Sequence, residues 1–147
     1  MERRLIFLDT NILIRAFIRP STQDEHDQHS IASGLLGQIA HDEVQATVSE
    51  IVIQQTLYFL AGNNWYRQTV DVAVGYIRSI LLLPGLRMNA DDLAIIRHAL
   101  VLWEQRPSLG FPDCLIASRC LRYEYDLATF DRNLRKLPDL TIWESAI

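Results

Sequence analysis

Three aspartates of this chain stand where an apolar run gives way to polar residues. Asp9 closes Leu5-Ile6-Phe7-Leu8 and is followed by a hydroxyl, an amide and a helix-like apolar pattern, Thr10-Asn11-Ile12-Leu13. Asp113 follows Pro112 at the start of a second helical pattern, and Asp131 closes Leu127-Ala128-Thr129-Phe130. Ligand sites of parallel sheets collect at the carboxyl ends of strands, because the loops converge there. Carboxylates crowded at such a rim repel one another unless a cation intervenes. Hard oxygen donors suit Mg²⁺ or Mn²⁺, with water or substrate phosphate completing the octahedron. Each aspartate also has an ordinary explanation as a helix cap or a first-turn acid.

The elements that must position them follow from periodicity. Residues 5–8 form a buried strand, and Ile12, Leu13, Ala16 and Phe17 stripe a helix that Pro20 stops. Asp24, Glu25 and Asp27 suit the start of a second helix, with Ile31, Leu35, Leu36 and Ile39 on its apolar face. A strand is expected over 44–48. Ser49 and Glu50 then cap a helix that Gly62-Asn63-Asn64 ends. A fourth helix is predicted over 65–83 after a very short loop, with Val70, Val74, Ile77 and Leu81 on one side. Further strands are predicted over 86–88, 127–130 and 140–143, separated by helices opening at Asp91-Asp92 and at Pro112. Alternation of strands and helices with right-handed crossovers gives an α/β fold, a mostly parallel sheet of four to five strands flanked by helices.

At 147 residues, 49% hydrophobic and 22% charged, the chain reads as one globular domain over 1–147. A net charge of −4 argues against a generally basic nucleic-acid binder, although not against a nuclease with an acidic, metal-neutralised cluster. Of the basic side chains only Lys136 is not arginine, the better fork for phosphate. Cys114 and Cys120 would lie about 9 Å apart along one helix, too far for a disulfide, so a reducing cytoplasmic setting is expected. The stretch after the N-terminus is interrupted by Asp9, Asn11 and Arg15 and reads as neither signal peptide nor membrane span.

Leu8-Asp9-Thr10-Asn11-Ile12-Leu13, Phe111-Pro112-Asp113-Cys114-Leu115-Ile116-Ala117 and Leu127-Ala128-Thr129-Phe130-Asp131 resemble, in order and spacing, the PIN-domain family. More narrowly they resemble the VapC-type toxins of bacterial and archaeal toxin–antitoxin pairs. The resemblance implies a three-layer sandwich and a metal-dependent, single-strand-selective ribonuclease, usually dimeric and held inactive by a cognate antitoxin. By position, Asp9, Asp113 and Asp131 match the family's metal-binding acids, and Thr10, Asn11 and Thr129 its ligand-orienting polar residues. One position departs. The family usually carries a glutamate five residues before a leucine in the third helix, and the matching frame here is Gln55 before Leu60. Glutamine offers an oxygen without charge, which weakens metal binding. Glu50 is a substitute on the same helix, though about 140° around its axis.

Arg15, Arg119, Arg132 and Arg135 are candidates to hold RNA phosphates, with surface ion pairing as the plainer account. His26 and His29 have metal-ligand types on what reads as a solvated helix start. The third and fourth helices, with Trp65 and Tyr66 at their junction, carry apolar surface suited to a dimer or antitoxin. The rival to a nuclease is a PIN-like module attenuated by Gln55 that binds RNA or protein. A phospho-acceptor domain fits poorly, since no adjacent acid pair ends the first strand.

Overall fold

The computed structural model describes residues 5–144 in two compact units, which divide between Ala90 and Asp91. In the first, β1 (Ile6–Phe7) pairs in parallel with β2 (Ala46–Thr47), in the register Ile6 to Ala46 and Phe7 to Thr47. The other edge of β2 is bonded as well. Ala46 N donates to the Gly85 carbonyl and Arg87 N to the Ala46 carbonyl, a parallel bridge between Ala46 and Leu86. Gly85 is required there, because a Cβ would stand 2.5 Å from the Val44 carbonyl oxygen and 2.7 Å from that of Ile39. The strand expected over 86–88 is thus a single bridge.

Leu8 is fully buried, so Asp9 follows directly on a core anchor. Leu5, Ile6 and Phe7 are exposed, where a buried strand was expected. Among the described residues β1 has a ladder partner on one edge only and so stands at the edge of the sheet.

Four helices complete the unit. α1 (Thr10–Phe17) is capped by Asp9 and buries Leu13 and Ile14. α2 (Gln23–Ala40) opens with a complete capping box: Thr22 accepts from Glu25 N, and the Glu25 carboxylate accepts from Thr22 N. Of the face read from its sequence, Ile39 is buried and Ile31 is exposed. α3 (Glu50–Ala61) is capped by Ser49, as its sequence indicates, and packs against α1. α4 (Val70–Leu81) buries Val74, Ile77 and Leu81. It begins five residues later than periodicity suggests, because Thr69 is a true cap accepting from Val72 N, and Arg67 takes a left-handed φ of 51°. The connection before it is a loop of several residues, not a tight turn. Tyr76 ties α4 to α1, its hydroxyl donating to the Leu13 carbonyl at 2.6 Å and its ring packing on Phe17.

The second unit holds most of α5 (Ala90–Gln105), α6 (Phe111–Tyr123) and the short α7 (Arg132–Arg135). α5 and α6 bury Ile96, Leu100, Trp103, Phe111, Leu115 and Ala117. The two strands expected over 127–130 and 140–143 are one parallel bridge, Leu127 to Ile142, closed by Leu127 N to the Thr141 carbonyl and Trp143 N to the Leu127 carbonyl. The ladder stops there because Asp131 N donates to Thr129 Oγ1, a local side-chain bond that turns the chain into α7. Among the described residues the only regular sheet is therefore two-stranded, not four- to five-stranded, although every pairing is parallel as expected. No helix among the described residues is long and apolar enough to cross a membrane.

Candidate metal and nucleic-acid site

Asp9 sits in extended backbone (φ −89°, ψ 162°), and its Oδ1 accepts from Thr10 N at 2.7 Å. The cap thus engages one carboxylate oxygen, while the other has no hydrogen-bond partner among the described residues. Thr10 is bound in turn: its hydroxyl donates to Gln55 Oε1 at 2.9 Å. The position that sequence framing singled out on α3 therefore lies beside the Asp9–Thr10 cap, and its oxygen is occupied by a neutral donor. Glu50 occupies the first turn of the same helix and is half-buried. Asn11 is exposed on the first turn of α1.

In the second unit, Gly110 opens α6 without a side-chain cap, and Asp113 supplies the acid of its first turn, where the exposed N–H groups favour negative charge. Burial pushes the Asp113 carboxyl above its ordinary range, and the negative charge of Asp131 pushes it further. Asp131 is fixed by α7, its Oδ1 accepting from Asn133 N at 2.8 Å and Leu134 N at 3.4 Å. Thr129 holds the approach through the Asp131 N bond already described. Asp113 and Asp131 are therefore a mutually repelling pair. Cys114 beside them is inert, its thiol raised to about 11 by burial and then by the Asp113 charge.

The arginines differ in availability. Arg15 donates to Glu25 and Gln28, both at 2.9 Å, and Arg135 donates to the Thr129 carbonyl and the Glu144 carboxylate. Arg119 is half-buried and engaged. Arg132 is exposed, with no partner among the described residues. His29 is engaged at both ring nitrogens, by the Arg15 carbonyl and Ser33, which leaves it no free nitrogen for a metal.

The family model of the PIN domain matches residues 6–140. The chain belongs to the PIN domain family. PIN domains are α/β proteins and are generally metal-dependent nucleases. No curated protein matches the chain significantly.

Whether the residues fit a divalent ion turns on the donor set. Among the described residues no group of three or more His, Cys, Asp or Glu side chains lies together so as to hold a metal. What the second unit assembles is a carboxylate pair. A pair suffices for a Mg²⁺-type ion, which keeps several waters and takes one or two protein carboxylates plus substrate phosphate. Burial first, and then the charge of Asp131, hold the Asp113 carboxyl above its ordinary range, and a cation seated between the two carboxylates would offset both.

One feature of the first unit lay outside the residue-by-residue reading of the sequence. Asp9, Thr10 and Asn11 form one wall of a groove of about 340 Å³, whose other wall is Phe59, Trp65 and Tyr66. The aromatic pair at 65–66 is visible in the sequence, but a helix starting at 65 would have hidden its role.

Proposed function

We propose that this PIN domain is a divalent-metal-dependent endoribonuclease, using Mg²⁺ or Mn²⁺ held by Asp9, Asp113 and Asp131. The observation that supports the reading is the Asp113–Asp131 pair, two carboxylates close enough to repel each other, in a chain of a nuclease family. Bound there, the ion supplies Lewis-acid stabilisation of charge growing on the phosphate oxygens. The Thr10 N–H holds the Asp9 carboxylate and the Asn133 and Leu134 N–H groups hold that of Asp131, whose backbone N is anchored by the Thr129 hydroxyl. Asn11 offers an amide for orienting substrate or water. Arg132 supplies a cation for RNA phosphates, with Arg15, Arg119 and Arg135 as further cations tied into networks. Hydrolysis adds water oxygen to phosphorus and protonates the departing 3′ oxygen, leaving a 5′-phosphate and a 3′-hydroxyl.

We extend the proposal to the toxin of a toxin–antitoxin pair, acting in the cytoplasm as a homodimer. Exposed apolar side chains on α3 and α4, among them Ile51, Tyr58 and Val72, support a surface for a second copy or an antitoxin. The deciding experiment is cleavage of mixed RNA by purified protein with and without Mn²⁺. Asp9→Asn and Asp113→Asn should each lower the rate by more than about a hundredfold, beyond the loss typical of an outer-shell metal partner. Full activity in either variant across a metal titration removes that residue from the site.

A second reading is favoured by the Thr10–Gln55 bond: a module whose metal affinity is weakened because the third-helix position brings no charge. In that reading Glu50, on the same helix, supplies the missing charge, and substitution of Gln55 separates the two readings.

A further inference from the structure

We propose that the aromatic wall of the groove beside Asp9, centred on Trp65, is a stacking site for one unpaired base of single-stranded RNA. The inference rests on the ribonuclease reading and adds to it where a base next to the scissile phosphate is held.

Three properties of the groove carry it. The first is continuity, since the Asp9-Thr10-Asn11 turn and the Phe59, Trp65 and Tyr66 side chains line one and the same space. A nucleotide whose phosphate is bridged to Asp9 by the proposed ion would share that space with those rings. The volume of about 340 Å³ lies in the range of small-ligand sites, about 300–1,000 Å³.

The second is available aromatic surface. Trp65 is 53% exposed although it is a large apolar side chain, and it meets Phe59 edge-on, with ring centroids 4.8 Å apart and planes at 86°. An edge-to-face contact covers far less of the two rings than stacking would, so ring face remains for a base. Every base has a π-face, and one paired in a duplex does not offer it to a side chain.

The third is preorganisation. The loop carrying Trp65 has few regular elements but is bound along its length: Trp65 N and Arg67 N donate to the Gly62 carbonyl, Tyr66 N to the Phe59 carbonyl, and Gln68 N to the Leu60 carbonyl. Gly62 permits the approach, because a Cβ there would stand 2.6 Å from the Tyr58 carbonyl oxygen and 3.3 Å from the Trp65 ring. Arg15, held by Glu25 and Gln28, adds a fixed guanidinium to the groove lining. A loop whose backbone is fixed before binding loses less entropy when its ring stacks, which is what a recognition site needs and a plain surface loop does not.

The test uses the full chain and a fluorescein-labelled single-stranded oligoribonucleotide, with binding read by anisotropy in Ca²⁺ and cleavage read separately in Mn²⁺. Trp65→Ala should weaken binding about ten- to a hundredfold, and Trp65→Phe should retain most of it. Trp65→Phe guards against loss of the fold and has its own readout. Tryptophan emission should be quenched by the oligonucleotide in the wild type and not in this variant, although Trp103 and Trp143 remain. An oligonucleotide made abasic at the stacked position should bind wild type and Trp65→Ala alike. Equal affinity of wild type and Trp65→Ala for the intact strand overturns the proposal and leaves a protein segment as the groove's occupant. Binding that depends on Trp65 without any cleavage in Mn²⁺ keeps the base site and sinks the hydrolytic reading, so the two failures are separable.

Discussion

Gln55 is a neutral residue at the position where charge would matter. Its Oε1 accepts the Thr10 hydroxyl proton at 2.9 Å, and Thr10 N in turn binds Asp9, so the three residues form one connected chain. A glutamate is nearly isosteric with glutamine, so Gln55→Glu should keep the Thr10 bond through one oxygen and present a second, charged one beside Asp9. If the site is attenuated, Mn²⁺ affinity measured calorimetrically should rise at least about tenfold, and cleavage should rise with it. Unchanged affinity would make Gln55 irrelevant to the metal. The cap reading of Asp9 and Asp131 is observed in the structure, and it does not compete with the proposed ligand role. Asp9 and Asp131 each commit Oδ1 to helix N–H groups, which fixes the carboxylate without occupying its other oxygen. Sequence spacing located these residues because a strand or an apolar run leads directly into each. It could not show that Gln55 touches Thr10, since that contact joins positions 45 residues apart and depends on how α3 packs against α1.

Among the helices, α2 illustrates how a local signal becomes stability. Glu25 accepts from Ser21 Oγ, Ser21 N and Thr22 N and pairs with Arg15, and the Ser21 side-chain bond is the largest cause of its carboxyl falling from an ordinary 4.5 to about 2. A depressed folded-state value means that the contribution is present in full above 4.5, the unfolded value, and is lost as the pH falls through about 2. Glu25→Gln should therefore be less stable than wild type in urea at neutral pH, and the difference should shrink between pH 4.5 and 2. A gap independent of pH would mean that packing, not the carboxylate, is responsible. Thr22→Ala, which removes the other half of the box, should cost about 1 kcal/mol. The starts of α2 and α3 are legible because Asp24, Glu25 and Ser49 are local and chemically distinctive, whereas the Thr22 cap emerges only from the structure. The later strands are not, because short apolar runs such as 86–88 and 127–130 carry the right residues while pairing depends on distant partners, whereas the expected 5–8 and 44–48 do hold β1 and β2. The start of α4 was misplaced for the converse reason, since its apolar period continues backwards through Trp65 while backbone bonds to Gly62, Phe59 and Leu60 hold that segment as a loop.

Taken as a whole, the chain carries a net charge of −4 and yet is proposed to bind a polyanion. Several of its cations are already paired with carboxylates, Arg15 with Glu25, Arg87 with Asp42, Arg122 with Asp91 and Arg135 with Glu144. Surface charge alone therefore offers RNA little attraction, and a divalent ion is the natural bridge between carboxylates and phosphate. An ion that binds only the folded chain also stabilises it, by about 2.7 kcal/mol at a hundred times its dissociation constant. For a chain of this length that corresponds to a rise of about 5–10 °C in melting temperature. Mn²⁺ should thus raise the melting temperature of the wild type, and Asp9→Asn and Asp113→Asn should each lose most of the rise. Oligoribonucleotide affinity should follow the same order, strong with the ion and weak in chelator, which is the reverse of the behaviour of a basic RNA-binding surface weakened by competing cations. A wild-type melting temperature indifferent to Mn²⁺, together with RNA affinity unchanged by chelator, would mean that the Asp113–Asp131 pair holds no ion and that its repulsion is simply tolerated by the fold.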